Sequence, residues 1–292
     1  MKIGVIGLGN MGVPMARNLV QAGYEVRGFD IVSPCPKDIK AAKSAVELST
    51  LSDVVIMMLP SGSIVKEVAD EILPNMAKGS ILLDCSTIDV ESTRLVAETA
   101  TNYGVLMADA PVSGGVSGAV AGTLTFMVGG SAEAFSTLKP LFDIMGQKAV
   151  HCGDSGNGQA AKICNNMILG ATMIVTCEAF ALADKLGLDR EKMYDVVSTS
   201  SGYSWSMNAY CPAPDIGPIS PADNDYKPGF SADLMLKDLR LSQQAAKAVD
   251  ADTPLGMHAT SLYKTFVEIE DGQGKDFSAM LPRFSKKTRT DT

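Results

Sequence analysis

In the stretch GNGQAAKICNNMIL, Gly156 to Leu169, a single lysine, Lys162, stands four residues before Asn166. If the stretch is helical, that spacing puts an ammonium and a carboxamide on one face, one turn apart, with Asn165 beside them. Such a pair can converge on one small molecule: the amide holds a hydroxyl, and an uncharged amine takes the hydroxyl proton. An ordinary lysine, at about 10.4, is a poor base near neutrality. A place in the first turns of a helix, where the dipole is positive, and partial burial both disfavour the ammonium and bring the amine toward the range in which it exchanges a proton. On spacing alone a second reading stands, a lysine at a domain boundary whose ammonium reaches solvent.

A second constellation opens the chain. A short β-rich run leads into Gly7-x-Gly9-x-x-Gly12, then a helical pattern on Met11, Met15 and Leu19, then a second strand ending at Asp30. In that order the glycines serve a tight turn, close approach of backbone to a pyrophosphate, and close helix–strand contact. Gly7, Leu8, Gly9, Asn10, Met11 and Gly12 then form the phosphate-facing loop, with the free N–H groups of the helix start behind it. Asp30 follows Gly12 by 18 residues, where a carboxylate accepts the adenosine ribose hydroxyls. A 2′-phosphate would be repelled there, and Ile31 and Val32 follow with no arginine to receive one, so the cofactor reads as NAD rather than NADP.

These residues need elements to hold them. Strand-like runs at DVVIMML (53–59), SILLDCS (80–86), VLMADAP (105–111), LTFMVGG (124–130) and KAVHC (148–152) alternate with helical segments, which predicts a largely parallel, doubly wound sheet. Ligands in such sheets sit beyond the carboxyl ends of strands, and this singles out Leu59-Pro60, Ser86-Thr87 and Ser113-Gly114-Gly115. Taken one at a time, each is also what an ordinary turn is made of. From Gly158 a helical pattern runs to Lys185, long enough to leave the first domain and form the spine of a second, and further helical patterns follow. The fold class expected is α/β, an N-terminal Rossmann-type doubly wound sheet over 1–157 joined by a long helix to an all-α C-terminal domain over 158–292. Between helical patterns, residues 201–229 carry five prolines with Trp205, Tyr210, Asn224 and Tyr226, and loops of this length tend to be functional.

Composition narrows the partners. With 25 Lys and Arg against 33 Asp and Glu the net charge is −8, which repels nucleic acid, and the single basic cluster, SKKTR near the end, reads as a solvated terminus. The six cysteines form no C-x-x-C pair and no zinc spacing, so no metal is expected and reduced thiols in a cytoplasm fit best. The opening MKIGVIG is already a strand, with no leader expected before it. Residues 167–183 are nearly all apolar but short and interrupted by Glu178 and two threonines, so a buried helix rather than a membrane span is expected.

Five stretches, GLGNMGVPMARNL, DAPVSGGVSGAVAGTLTFMVGG, GNGQAAKICNNMIL, SGYSWSMNAYCPAP and DYKPGFSADLMLKDL, resemble the β-hydroxyacid dehydrogenases, most closely their 3-hydroxyisobutyrate branch. The resemblance implies Lys162 as the catalytic acid/base, Asn166 on the substrate hydroxyl, and Ser113, Gly114 and Gly115 on the substrate carboxylate. It also implies Leu59, Pro60 and Thr87 along the cofactor cleft, and Lys237 reaching over the nicotinamide. By itself Lys237 reads as a surface helix lysine beside Asp238. The implied reaction is NAD-dependent oxidation of 3-hydroxyisobutyrate to methylmalonate semialdehyde, a step of valine breakdown, by a homodimer or homotetramer joined through the helical domains. Reductases of tartronate or succinic semialdehyde and serine dehydrogenases share the glycine, lysine and asparagine positions. A nucleotide-sensing module without turnover is the alternative from another class. The aromatics between Trp205 and Pro214 read either as walls of a substrate pocket or as packing under a proline-rich loop.

Overall fold

Strand alternation decides which face of the sheet each side chain enters, and here both faces are covered by helices, so the strands read as almost continuous apolar runs. The structure, a computed structural model, describes residues 1–286. It divides into two compact units, Met1–Lys162 and Ile163–Thr292.

The first unit runs β1 (Lys2–Ile6), α1 (Gly12–Gln21), β2 (Glu25–Phe29), β3 (Lys40–Ala41), α2 (Ala45–Thr50), β4 (Val54–Met57), α3 (Gly62–Ile72), β5 (Ile81–Asp84), α4 (Val90–Asn102), β6 (Leu106–Asp109), β7 (Val112–Ser113), α5 (Gly115–Ala121), β8 (Leu124–Gly130), α6 (Ala132–Met145) and β9 (Gly146–Gly153). Strand order is β3-β2-β1-β4-β5-β6-β8-β7, with β9 on β8. From β3 to β6 every pairing is parallel. The sheet departs from a uniformly parallel one at β8, which is antiparallel to β6 and β7, because β7 and α5 turn the chain back before β8 enters. On one face Ile3, Val5, Val54, Ile56, Ile81 and Leu83 pack with Met15, Leu19, Phe126 and Phe142. On the other, Ile6, Val55, Met57 and Leu82 pack with Val65, Ile72 and Val96. Ser44, Ser61, Asp89 and Ser131 cap α2, α3, α4 and α6 through side-chain oxygens that accept first-turn N–H groups.

The long helix α7 spans Asn157–Leu186, and the division between the units falls inside it, after Lys162, rather than at its start. The second unit continues with α8 (Arg190–Val197), α9 (Trp205–Asn208), α10 (Ala232–Ala248), α11 (Pro254–Glu268) and α12 (Met280–Lys286). Met173, Cys177 and Phe180 of α7 form its core with Met235, Leu239, Tyr263, Phe266 and Phe277. Gly170, in mid-helix, is where α10 comes close: a Cβ there would lie 3.0 Å from Met235 Sδ and 3.1 Å from Leu239 Cδ2. By length and apolar composition α7 could cross a membrane, but half of its most apolar stretch is buried inside the protein. The basic tail expected to be solvated lies outside the described residues from Lys287 onward.

Candidate active site

The dinucleotide loop follows directly from β1. Gly7 has φ +97°, and a Cβ on it would lie 2.2 Å from Met58 O, so only glycine makes this turn. On Gly12 a Cβ would lie 1.9 Å from Gly7 O, so the helix start closes tightly on the turn. Gly9 has nothing within 4 Å of its Cβ position, which leaves open space in front of the loop. α1 has no side-chain cap and no acidic residue in its first turn, so its N–H groups are left for an anion. Turn, open approach and uncapped helix start fit a pyrophosphate.

Asp30, after β2, does more than the sequence pattern asks of it. Its Oδ2 accepts the Leu8 N–H at 2.7 Å, while Oδ1 accepts those of Val32 at 2.7 Å and Ser33 at 2.8 Å. Partial burial pushes its carboxyl up, but the N–H groups of Ser33, Val32 and Leu8 together outweigh this and hold it below the ordinary value. The carboxylate therefore braces the glycine loop, and Oδ2 retains a lone pair for a ribose hydroxyl. Ile31 and Val32 are 87% and 86% exposed beside it, with no cation between them.

Beyond β4, β5 and β6 a run of hydrogen bonds ties three strand ends to α7. Leu59 N–H donates to Ser86 Oγ at 2.8 Å. Gln159, fully buried, donates from Nε2 to Ser86 O at 2.8 Å and accepts the Ile88 N–H on Oε1 at 3.1 Å. Asp109, also fully buried, accepts the N–H of Gly156 at 2.7 Å and of Gln159 at 2.9 Å. Burial pushes the Asp109 carboxyl above its ordinary value, against those two bonds. The start of α7 is thus not the bare positive end expected from sequence, since a carboxylate takes its N–H groups. Lys162, one turn further, is 7% exposed, and its Nζ donates to Val112 O at 2.8 Å. The residue is thus mostly buried, with its ammonium held on a backbone carbonyl.

Of the residues expected at the site, Gly7 to Gly12, Asp30, Leu59, Pro60, Thr87, Ser113, Gly114, Gly115 and Lys162 fall in the first unit, most on turns at the carboxyl edge of its parallel strands. Gly114 and Gly115 have φ +129° and +62°, a turn that suits glycine. Asn166 and Lys237 fall in the second unit. There Asn166, 1% exposed, donates from Nδ2 to Asp238 Oδ2 at 2.5 Å and accepts from Asn165 at 2.9 Å. The sequence gives no site role to Asp109, Gln159 or Asp238. Asp109 and Gln159 lay inside the quoted stretches, but their spacing gives no sign that they meet. In the proline-rich loop, Tyr210 stacks on Trp205 at 4.8 Å and lies tilted against Phe277 at 5.3 Å, and its hydroxyl donates to Asp276 Oδ2 at 2.8 Å. The Tyr226 hydroxyl donates to Pro212 O at 2.8 Å. Packing under the loop accounts for both tyrosines. Among the described residues no group of three His, Cys, Asp or Glu is placed to hold a metal.

Comparison with known proteins covers both units. Residues 2–153 match the family described as the NAD binding domain of 6-phosphogluconate dehydrogenase. Residues 156–284 match the family described as NAD-binding of NADP-dependent 3-hydroxyisobutyrate dehydrogenase. The chain is 45% identical to a 3-hydroxyisobutyrate dehydrogenase of Pseudomonas aeruginosa, over 98% of this chain and 99% of that protein. It is 43% identical to an NAD-dependent L-serine dehydrogenase of the same organism, over 97% of each. Among solved structures, the 3-hydroxyisobutyrate dehydrogenase of Mycobacterium tuberculosis with L-serine superposes with a TM-score of 0.92 at 44% identity, covering 97% of this chain and 98% of that one.

Proposed function

The chain belongs to the 3-hydroxyisobutyrate dehydrogenase family of NAD-dependent hydroxyacid dehydrogenases, and from that premise we propose that it oxidises 3-hydroxyisobutyrate to methylmalonate semialdehyde with Lys162 as acid/base. The observation that carries the lysine's role is its burial together with the bond from Nζ to Val112 O, one residue before Ser113. In this reading uncharged Lys162 accepts the substrate hydroxyl proton as the carbinol carbon is oxidised, and returns a proton in the reverse direction. Asn166 holds the same hydroxyl, its amide oriented by Asp238. Ser113 and the N–H groups of Gly114 and Gly115 take the substrate carboxylate, a hydroxyl and consecutive backbone donors being suited to an anion. Bound NAD supplies the hydride acceptor. Leu59, Pro60 and Thr87 line the cofactor and Lys237 approaches its nicotinamide. Asp30, followed by Ile31 and Val32 rather than an arginine, favours NAD over NADP.

A specific observation favours serine as a second substrate, since one relative is named a serine dehydrogenase and a solved neighbour contains L-serine. Serine is itself a 3-hydroxy acid and differs only at C2, with an ammonium for a methyl. Steady-state reduction of NAD on 3-hydroxyisobutyrate, serine and shorter hydroxy acids tests the assignment: the highest kcat/KM is expected on 3-hydroxyisobutyrate, and a preference for serine overturns it.

The reading extends to a homodimer or homotetramer joined through the helical unit. In support, Ile168, Val175 and Leu182, seven residues apart on α7, are 62%, 56% and 58% exposed. Light scattering on Val175→Glu with Leu182→Glu, expected to give monomers, checks it; an unchanged mass rejects the interface.

A further inference from the structure

We propose that Asp109 is a positioning residue that seats Lys162 against the loop at Ser113, a role that rests on reading Lys162 as the acid/base. Its two carboxylate oxygens accept the N–H groups of Gly156 at 2.7 Å and Gln159 at 2.9 Å. Three residues along α7 from Gln159 lies Lys162, and three residues along the chain from Asp109 lies Val112, whose carbonyl accepts Lys162 Nζ at 2.8 Å. Two short stretches of chain, one helical and one extended, are thus pinned together at both ends. The frame is closed, and Ser113 leaves it from the Val112 corner.

Helix termination alone does not call for this arrangement. α2, α3, α4 and α6 are capped by the serine or aspartate that immediately precedes each helix. At α7 the acceptor comes from a strand end 47 and 50 residues away in sequence, and it is a fully buried carboxylate, a costly group to bury. Its seat admits little movement. A Cβ on Gly129 would lie 2.5 Å from Oδ1, and one on Gly158 would lie 2.7 Å from Oδ2 and 2.3 Å from Met127 O. Gln159 adds a separate tie to the turn after β5 through Ser86 O and Ile88 N–H. A distant cap of this kind fixes where the helix stands relative to the β6–β7 loop, which a local cap cannot do. Misplacing a reacting group by about 1 Å costs on the order of a hundredfold in rate.

The test is a double-substitution cycle read by single-turnover reduction of NAD with 3-hydroxyisobutyrate. Asp109→Asn keeps the size but turns an NH₂ toward one of the two N–H donors. It is expected to slow the single-turnover rate about ten- to a hundredfold while NAD affinity stays within about twofold. Hydrogen exchange at residues 156–162 should quicken in the same variant. In a Lys162→Ala background the same substitution should cost nothing further, because the group it seats is gone. An unchanged rate in Asp109→Asn, or the same loss with and without Lys162, overturns the proposal. A Lys162→Ala variant as fast as wild type instead removes the acid/base reading, and the two failures are told apart. If Asp109→Asn does not fold, Asp109→Ser, smaller and retaining one acceptor, carries the same measurements.

Discussion

Lys162 Nζ lies 2.8 Å from the carbonyl oxygen of Val112, so the proposed base is held by the backbone that continues into the proposed carboxylate-binding loop. Replacing Lys162 by arginine preserves a donor for that carbonyl, but a guanidinium stays charged throughout the assay range. Lys162→Arg and Lys162→Met are therefore both expected to lose about a hundredfold or more in kcat, with NAD binding retained. Calorimetric NAD titration beside steady-state kinetics checks this, and substantial activity in Lys162→Arg speaks against proton transfer by the amine.

Gly9 and Gly12 separate ligand binding from folding. With nothing within 4 Å of its Cβ position, Gly9→Ala should melt near wild type yet bind NAD more weakly, because the methyl enters the space the pyrophosphate needs. Gly12→Ala, whose methyl would lie 1.9 Å from Gly7 O, should lose both stability and binding. Thermal melts with and without NAD decide it; equal NAD-induced stabilisation in Gly9→Ala and wild type contradicts the assignment of this loop.

Asp30 gives a pH dependence of definite sign. Its folded carboxyl is held below the ordinary value, the N–H groups of Ser33, Val32 and Leu8 outweighing partial burial. The stability it contributes is fully present above the unfolded value of about 3.9 and is lost as pH falls through the lower folded value. Asp30→Asn should therefore shift the urea midpoint more at pH 7 than at pH 3. The same shift at both would show that ionisation of Asp30 does not support the glycine loop.

Ile31 and Val32, 87% and 86% exposed beside Asp30, put two apolar side chains where a cation could stand. Ile31→Arg is expected to raise kcat/KM with NADP relative to NAD, and more so combined with Asp30→Ser, by placing a guanidinium where a 2′-phosphate would lie. Paired kinetics with both cofactors test it, and an unaltered ratio places cofactor discrimination elsewhere.

Asn166 and Asp238 form a buried amide–carboxylate pair at 2.5 Å. Asp238→Leu strips the amide of that acceptor and should cost about 1–3 kcal/mol of stability. Asn166→Leu with Asp238→Leu should cost less than the sum of the two single changes, because the bond between them is then lost once and neither is left facing the other's empty place. Urea denaturation of the four proteins measures the coupling. Asn166→Leu should also raise KM for the hydroxy acid, and an unchanged KM removes Asn166 from the substrate.

Local patterns in the sequence were enough for the elements that carry their own signal. The glycine spacing before α1, the apolar strands, the acid after β2 and the long α7, read from sequence as 158–185, are set by steric demands and burial within a few residues of chain. Family resemblance added roles for Lys162, Asn166 and the loop at Ser113, which spacing left open. Only the folded chain decided that β8 runs antiparallel, because strand direction depends on how β7 and α5 turn back. Only the fold showed that Asp30 braces Leu8, that Asp238 holds Asn166, and that Asp109 caps α7 from 47 residues away. The reason is the same in each case. A buried polar group must find a partner wherever packing has put one, and that partner's distance along the chain leaves no periodic trace in the sequence.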